Sequence, residues 1–413
     1  MKTQPQSGSV KLPSSLPQKK SHAPLICMHV IGSVASDERV LREASALQLA
    51  GYAVTIIDVA CRGQGPAHET IRGCRVRHVL LPADFAQTRF KKRALLRAAS
   101  IFLRSTCRLL ITPADAYHAH DVTALPACYI AAVLHGKPLI FDAHELPLPE
   151  LPVQVPWLRT RFHGLLEKMI QRCASIITVS APIAREIRQR YHVSQVGLVR
   201  NMLAYRPYVS SDRLRQHLGL AAHTRIALYQ GNIQADRDPT LLVHVAKLLD
   251  PHNVIVLMGK GIGSAVSELE ILIAQEGVGE RIKIIPPVPY HELLSWTASA
   301  DVGLIVYSPD HSLNVRMCLP NKLFEYLMAG LPVLATSLEA VAEMLNTYHI
   351  GRVVDSLEPV QIAAALNLLL ANDALLTSMR INALNAVHEE LCWERERQHL
   401  IYLYHEVVEI MSP

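Results

Sequence analysis

Residues 25–60 have the sequence LICMHVIGSVASDERVLREASALQLAGYAVTIIDVA, and this stretch decides the fold class. An apolar run, Leu25–Ile31, ends in the small pair Gly32-Ser33, and a helical pattern over Asp37–Ala50 follows. A second apolar run, Val54–Ala60, comes directly after that helix and its closing glycine. A strand, a helix and a second strand in this order predict a β-α-β unit of a parallel sheet.

The same alternation continues along the chain in two halves. Further strands are predicted at Val76–Leu80, Ala116–His120, Pro138–His144, Ser175–Val179, Val196–Arg200, Arg225–Gln230, Val254–Met258, Ile282–Ile285, Val302–Val306, Val333–Ala335 and Arg352–Val354. The stretch Asn201–Ser211 resembles a linker between the halves. We therefore expect an α/β protein with two Rossmann-like, doubly wound domains at residues 24–203 and 204–392, a final helix at 393–413 and a disordered tail at 1–23.

Composition excludes several classes of protein. The chain has 413 residues, half of them apolar, which suits two buried cores. No apolar run approaches the ~18 residues of a membrane span, so we expect a cytoplasmic protein. None of the eight cysteines forms a CxxC pair, which indicates a reducing compartment and no metal site. The net charge of +5 is too small to favour a nucleic-acid partner.

Basic residues concentrate in one segment, Arg89–Arg108, which contains seven of them and no acidic residue. Apolar residues such as Phe90, Phe102 and Leu103 lie between them, which is the pattern of a basic amphipathic helix. Two interpretations stay open: an ordinary surface helix over the sheet, and peripheral contact with an anionic membrane.

Polar residues follow three predicted strands of the first half, where doubly wound sheets bind ligands. The pair Gly32-Ser33 forms a turn that lets a ligand approach the backbone, although no GxGxxG pattern indicates a dinucleotide. His118 and His120 lie on one face of their strand, and the sequence Phe141–Glu145 ends the next one. A binding site and the alternative of core histidines with a capped strand end both fit.

The second half has a similar arrangement. A glycine turn at Gly231 precedes Arg237 at a helix start, which suits a phosphate group. Gly259 and Gly261 follow the next strand, where their amides either cradle an anion or form an ordinary turn.

The sequence LPNKLFEYLMAGLPV at residues 319–333 carries the clearest chemical signal. Pro320 suits a helix start, so Asn321 and Lys322 fall in the first turn, where free amides and a lysine can hold a pyrophosphate. Glu325 lies one turn later on the same face, where its carboxylate can accept both hydroxyls of a ribose. A lysine in a first turn opposes the helix dipole unless an anion is bound, so a binding role is favoured.

Taken in order, these segments make the chain similar to a known family. It resembles the retaining family-4 glycosyltransferases of the GT-B fold, particularly bacterial envelope and exopolysaccharide members. The resemblance runs from about Ile26 to Tyr404 and rests on the sequences DERV at 37–40, LAGY at 49–52, YHAHD at 117–121, LPA at 125–127, FDAHE at 141–145, ITVS at 177–180, VRN at 199–201, YQG at 229–231 and residues 320–333.

The resemblance implies a nucleotide diphospho-sugar donor, UDP- or GDP-linked, held by the second domain across a cleft from the first. The implied catalytic residues are His120 near the transferred sugar, with Arg237 and Lys322 at the diphosphate. The implied donor-binding residues are Gly32, Ser33, Gly231, Asn232, Gly259, Gly261, Asn321 and Glu325. The implied acceptor side, for a carbohydrate or lipid-linked hydroxyl, includes Arg39, His144 and Glu145. The final helix is implied to pack back on the first domain, and neither a cofactor nor a metal is expected.

Two positions depart from the family pattern. Met317 stands where a second acid is frequent, and Asn232 stands where many members have arginine. Arg237, Lys322 and helix N-termini are then left to stabilise the leaving diphosphate in a retaining, metal-independent transfer. A nucleotide-sugar epimerase of the same fold and a non-catalytic nucleotide-sugar-binding protein stay open as alternatives.

Overall fold

The computed structural model describes residues 23–61, 66–81, 91–147 and 156–410. The expected disordered tail, apart from Ala23, lies outside the described residues, as do Arg89 and Phe90 of the basic segment. Two α/β domains built on parallel sheets are present, which confirms the predicted fold class.

The first domain contains an eight-stranded sheet. Its strands are β1 (Leu25–His29), β2 (Ala53–Cys61), β3 (His68–Ile71), β4 (Cys74–Leu81), β5 (Ala116–His120), β6 (Leu139–Ala143), β7 (Ser175–Thr178) and β8 (Gly197–Leu198), in the order β3-β4-β2-β1-β5-β6-β7-β8. Strand β3 was not predicted and pairs antiparallel with β4. It joins β4 through Arg72 and Gly73, both with positive φ, which is the geometry of a tight hairpin.

Five α-helices of the described residues cover this sheet. They are α1 (Glu38–Leu49), α2 (Lys91–Leu110), α3 (Asp121–His135), α4 (Pro156–Gln171) and α5 (Ala181–Tyr191). Helix α1 begins where the Asp37 carboxylate accepts the amide of Val40, an N-cap that satisfies one of the free donors of the first turn. The basic segment is helical from Lys91 onward, as α2.

The second domain contains a six-stranded, fully parallel sheet. Its strands are β9 (Arg225–Gln230), β10 (Asn253–Met258), β11 (Ile282–Ile285), β12 (Val302–Ile305), β13 (Val333–Thr336) and β14 (Gly351–Val354), in the order β11-β10-β9-β12-β13-β14. Its helices are α6 (Arg213–Leu218), α7 (Thr240–Lys247), α8 (Ala265–Glu276), α9 (Leu293–Thr297), α10 (Leu313–Met317), α11 (Asn321–Met328), α12 (Glu339–Tyr348), α13 (Pro359–Leu370) and α14 (Asp373–Glu389).

The last helix, α15 (Trp393–His405), packs on the first domain. Leu400 and Tyr404 lie in the apolar cluster that α1 forms with the first sheet. At the start of α15, Glu396 accepts the backbone amide of Arg200 at 2.6 Å and pairs with its guanidinium. The helix is thereby attached to the segment that joins the two domains.

None of the described helices is, by itself, both long and apolar enough to cross a membrane. One sharply bent pair, Pro359–Leu370 with Asp373–Val408, meets the length and composition criteria only when its two helices are taken together.

Candidate active site

Three glycines bring two loops of the second domain together beyond the ends of β9 and β10. Gly231 has a φ of +118°, a conformation that favours glycine. A Cβ at Gly259 would lie 1.7 Å from the Gly231 carbonyl oxygen, and one at Gly261 would lie 2.7 Å from Val266. The two loops are therefore packed too closely for a side chain at Gly259, while Asn232, which follows Gly231, is exposed.

Lys322 lies in the first turn of α11, beside Gly231. Its side chain is only 8% exposed, and Nζ lies 3.7 Å from the ring centroid of Tyr229 and 5.2 Å from that of Tyr307. Nζ has no hydrogen-bond partner among the described residues. Burial lowers the pKa of Lys322 to about 7, although the carboxylate of Glu325 opposes the shift. This buried amine is placed to gain from an anionic ligand.

Arg237 ends a short 3₁₀ helix, Ala235–Arg237, in the loop after β9. Its guanidinium carbon lies 5.0 Å from the ring centroid of Tyr307, the ring that Lys322 also approaches. Its positive charge helps to lower the pKa of Lys322. An anion bound between these two cations would relieve their repulsion, so the structure brings together the two residues predicted to hold a diphosphate.

Glu325 lies one turn further along α11. Gln230, the last residue of β9, donates from Nε2 to Glu325 Oε2, and its Oε1 accepts the Thr297 hydroxyl at 2.6 Å. Burial raises the pKa of Glu325, and the bond from Gln230 opposes that shift. Gln230 thus fixes the Glu325 carboxylate through its Oε2. The other oxygen, Glu325 Oε1, is left to accept a hydrogen bond from a ligand hydroxyl.

The loop after β1 is open on the first domain. Gly32 has a φ of +139°, and no atom lies within 4 Å of the Cβ that another residue would carry there. Gly32 and Ser33 are exposed, while the next amide, that of Val34, donates to Asp58 at 2.9 Å. The turn is anchored at its far end and is accessible at the predicted binding position.

Asp142, the fourth residue of β6, is the centre of a buried polar network. Arg39 donates from Nε to Asp142 Oδ2 at 2.9 Å and from Nη2 to Oδ1 at 2.7 Å. His120 Nδ1 and His144 Nε2 lie 3.2 and 3.0 Å from Oδ2. Burial alone would raise the pKa of Asp142, but the charge of Arg39 holds it well below the usual range. An ionised Asp142 therefore orients three side chains.

This network changes the interpretation of two predicted residues. Arg39 was expected on the acceptor side, but it is buried, and its Nη1 donates to the Val199 carbonyl at 2.6 Å. The N–H groups of Arg39 donate to Asp142 and to the Val199 carbonyl inside the first domain, so they do not face the cleft. His120 was expected near the sugar, but its side chain is also fully buried against Asp142. Direct contact of His120 with a sugar stays a prediction.

His144 and Asp121 bring this network to the surface. His144 Nδ1 lies 3.7 Å from Asp121 Oδ2, and the side chains of His144 and Asp121 are 20% and 41% exposed. Burial alone would lower the pKa of His144, but Asp142 outweighs it and raises the pKa to about 8. Asp121 has a φ of +66°, a strained conformation for a residue other than glycine and one that recurs at functional sites.

Four side chains gather beneath this surface although the sequence predicted no metal site. One ligand atom from each of Glu43, His118, His120 and Asp142 lies within 4.8 Å of the others. We call these four residues the buried histidine–carboxylate cluster. Each of them is fully buried.

The two domains touch at the cleft through polar contacts. Asn201 of the connecting segment donates to the Asn321 side chain at 2.8 Å, at the first residue of α11. Asn314 of α10 donates to Glu145 at 3.1 Å and accepts the amide of Leu146 at 2.7 Å. Glu145 therefore contacts the second domain, and the ends of the two sheets face one another as predicted.

Met317 completes this contact. Its side chain lies in an apolar cluster of the first domain, and its carbonyl oxygen accepts the Ser180 hydroxyl at 2.6 Å. The position where the family frequently has an acid is thus an apolar contact between domains in this chain.

Two family models match the chain in succession: "Glycosyltransferase Family 4" over residues 38–202 and "Glycosyl transferases group 1" over residues 210–386. The chain belongs to the family-4 glycosyltransferases. The boundary between the two matched models, at residues 202–210, coincides with the segment that connects the domains and begins near Asn201. The predicted family and glycosyltransferase activity are confirmed.

Known proteins similar to this glycosyltransferase agree with that assignment. A D-inositol 3-phosphate glycosyltransferase of Xylanimonas cellulosilytica is 25% identical over 308 residues, which are 70% of this chain and 71% of the relative. Sucrose-phosphate synthase of Thermosynechococcus elongatus has a TM-score of 0.76 at 15% identity, covering 94% of this chain and all of the other. Anabaena HepE, solved with UDP and glucose, has a TM-score of 0.68 at 16% identity, covering 92% and 98%. These structures show the GT-B fold.

Sequence reasoning assigned no site role to several residues of this glycosyltransferase site, although the sequence YQG at 229–231 was part of the family resemblance. Tyr229 and Tyr307, which flank the cations, are ordinary strand-end aromatics in the sequence. Gln230 lies at a predicted strand end beside a glycine turn, which is a usable signal. Glu43 follows Arg39 by one helical turn, a spacing that predicts an ion pair but not its burial against β5 and β6.

Proposed function

We propose that this glycosyltransferase moves a sugar from a nucleotide diphospho-sugar, linked to UDP or GDP, to a hydroxyl acceptor with retention of the anomeric configuration. The observation that carries the proposal is the buried Lys322 ammonium over Tyr229 and Tyr307, without a hydrogen-bond partner among the described residues and next to Arg237. A diphosphate is the ligand whose charge matches this pair of cations.

The donor lies along the start of α11 in this proposal. Its diphosphate occupies the first turn, with Lys322, Arg237 and the helix N-terminus around it, and the Gly32-Ser33 turn approaches from the first domain. The ribose hydroxyls donate to Glu325, which Gln230 holds in place. A Cβ at Gly231 would lie 3.5 Å from Lys322 Cε, so the glycine leaves the space beside Lys322 open, which supports this placement.

Transfer breaks the bond between the anomeric carbon and the phosphate oxygen and forms a bond to the acceptor oxygen on the same face. The acceptor proton passes to the departing phosphate oxygen. Negative charge grows on the diphosphate as the first bond breaks, so the fixed cations Arg237 and Lys322 stabilise the transition state more than the ground state. This cationic set supports a transfer without a metal ion.

The acceptor occupies the side of the cleft that carries His144, Asp121 and Glu145. His144, held by Asp142, is charged at neutral pH and suits a hydrogen bond to a sugar hydroxyl or an acidic acceptor group. The partial exposure of His144 and Asp121 supports direct contact with substrate, while Asp142 positions His144 from below through a 3.0 Å contact with its Nε2.

A donor screen followed by product analysis tests the proposal. We expect UDP- or GDP-sugars to raise the melting temperature by mass action, and a mixture of donor and acceptor to yield glycoside with the donor configuration. Conversion of the donor alone to its epimer would identify an epimerase instead. Binding without transfer or hydrolysis would identify a non-catalytic binding protein.

The acceptor belongs to the cell envelope in this proposal, as a lipid-linked or polysaccharide hydroxyl at the inner membrane surface. Helix α2 supports membrane contact because Leu96, Phe102 and Leu103 are exposed on it beside Arg104. Basic residues near an anionic surface contribute ~1 kcal/mol each, and salt screens them. We expect co-sedimentation with anionic but not neutral liposomes, loss at high salt, and weakening in a Lys91→Gln, Lys92→Gln, Arg93→Gln variant. Equal sedimentation with neutral liposomes would contradict it.

A further inference from the structure

The buried histidine–carboxylate cluster contains more hydrogen-bond acceptors than donors. His118 Nδ1 lies 2.5 Å from the Tyr404 hydroxyl, and His120 Nδ1 lies 3.2 Å from Asp142 Oδ2. The other ring nitrogen, Nε2, has no hydrogen-bond partner on either histidine among the described residues; neither carboxylate oxygen of Glu43 has one there, although Oε1 forms an ion pair with Arg39 Nη2 at 3.1 Å. Unpaired polar atoms of this kind are costly to bury.

The hydrogen bonds at Nδ1 decide which atoms point into the cluster. The ionised Asp142 only accepts, so His120 Nδ1 carries the proton and its Nε2 presents a lone pair. The Tyr404 hydroxyl both donates and accepts, so His118 Nε2 presents a second lone pair in the tautomer whose Nδ1 donates to the Tyr404 oxygen. Within the described part of the chain, these two Nε2 atoms and Glu43 Oε2 then have no proton donor of hydrogen-bond geometry.

We propose that the buried histidine–carboxylate cluster binds a divalent transition-metal ion, with zinc as the best chemical match, through His118 Nε2, His120 Nε2 and Glu43. Two imidazoles and one carboxylate are an established ligand set for zinc. The site lies between the first sheet and helices α1 and α15, in the first domain and apart from the donor-binding residues of the second domain.

The surrounding residues have the arrangement typical of the outer shell of a metal site. Metal-binding histidines donate from their second ring nitrogen to a carboxylate, carbonyl or similar acceptor, and Asp142 and the Tyr404 hydroxyl lie at that position for His120 and His118. Arg39 in turn holds both carboxylates: it bonds Asp142, and its Nη2 lies 3.1 Å from Glu43 Oε1. Glu43 Oε2 is then the oxygen best placed for the ion.

Binding requires a small rearrangement of side chains. The ligand atoms lie up to 4.8 Å apart, against about 3.3 Å for ligands ~2.05 Å from a tetrahedral zinc ion. The imidazoles of His118 and His120 are stacked, with centroids 4.1 Å apart and planes at 22°, and must turn apart to direct both lone pairs at one ion.

Metal content of the full-length protein tests the proposal directly. Untagged protein is produced in medium supplemented with zinc or cobalt, dialysed against metal-free buffer and measured by elemental mass spectrometry. We expect about one metal ion per chain to be retained, and the cobalt form to show the visible absorption of a four-coordinate ion with nitrogen and oxygen ligands. Wild-type protein without stoichiometric metal, or cobalt without that absorption, would overturn the proposal.

Variants locate the ion. Glu43→Gln keeps the side-chain shape but removes the anionic ligand, and Tyr404→Phe removes only the bond to His118; we expect each to lower zinc affinity about 10–100-fold, measured by chelator competition. The matched control replaces the exposed pair His223 and His252 of the second domain by alanine, which removes a surface chelating pair and leaves the cluster intact. We expect that control to retain the ion. Loss of the ion in the control alone would overturn the assignment.

Discussion

The two strand-end regions that face each other across the cleft handle charge in opposite ways. In the first domain, Asp142 is surrounded by Arg39, His120 and His144, so its charge is compensated within the fold. In the second domain, Lys322 lies on aromatic rings and its ammonium has no hydrogen-bond partner among the described residues. A compensated charge stabilises and orients its neighbours, whereas a buried uncompensated charge lowers stability until a ligand binds.

The largest expected effect is the loss of stability when the Asp142 carboxylate is removed from the first domain. Asp142→Asn removes the carboxylate that accepts two hydrogen bonds from the buried Arg39 and leaves only the ion pair with Glu43, so it should lower the free energy of unfolding by about 3–5 kcal/mol, measured by urea denaturation. The control, Glu339→Gln, breaks the exposed pair with Arg185 and should cost about 1 kcal/mol or less. Similar small losses in both variants would show that the first-domain network does not stabilise the fold.

The next effect concerns turnover. Arg237→Ala should lower kcat by about 10²–10³-fold while donor affinity changes less, because charge grows on the diphosphate as the bond breaks. Steady-state kinetics with direct measurement of donor binding separates the two quantities. Arg352→Ala, an exposed arginine on the edge strand β14, is the control and should leave both unchanged. A collapse of affinity with turnover preserved would make Arg237 a ground-state anchor.

Lys322→Met should move binding and stability in opposite directions. Loss of a charge-assisted bond of about 1.5–3 kcal/mol weakens donor binding about 10–100-fold. The free energy of unfolding should stay the same or rise, because a buried amine without a hydrogen-bond partner is replaced by an apolar chain of similar length. Calorimetry and urea denaturation on one preparation measure both. A stability loss like that of Asp142→Asn would contradict the distinction between the two regions.

The smallest expected effect is the uptake of a proton when UDP binds. The pKa of Lys322 is about 7, and a bound diphosphate raises it, so UDP binding at pH 8 should take up as much as about one proton. Calorimetry in two buffers of different ionisation enthalpy measures this uptake, and Lys322→Met should abolish it. An unchanged uptake in that variant would assign the proton to another group.

The same shift has a consequence for stability with a definite sign. Because the pKa of Lys322 is lowered in the folded protein, its cost is fully present below pH 7 and is relieved as the pH rises toward the ordinary value of 10.5. The free energy of unfolding is measured against pH for both proteins, and the difference between wild type and Lys322→Met gives the contribution of Lys322.

The positions of most strands and the start of helix α11 could be predicted from the sequence because they depend on local patterns. The apolar runs predicted most strands to within a few residues, and the Pro320-Asn321-Lys322 start of α11 lies where the helix signals placed it. Strand β3 was missed because it is only four residues long and largely exposed, so no apolar alternation marks it.

Side-chain environment is what the sequence alone left undetermined. Arg39 looks like a surface arginine on an amphipathic helix, and only the crossing of α1 over β5 and β6 places its guanidinium on Asp142, 103 residues away. Met317 likewise becomes a contact between domains only when α10 meets the first sheet.

The sequence by itself determined the two Rossmann-like halves, the family and the cationic helix start, since each depends on residue types at short spacing. Only the tertiary structure decided that Lys322 is buried on Tyr229 and Tyr307, that Arg39 is consumed inside the fold, and that His118, His120 and Glu43 converge. The reason is that burial and charge compensation depend on contacts between segments far apart in the chain, and a pKa responds to those contacts rather than to its neighbours in sequence.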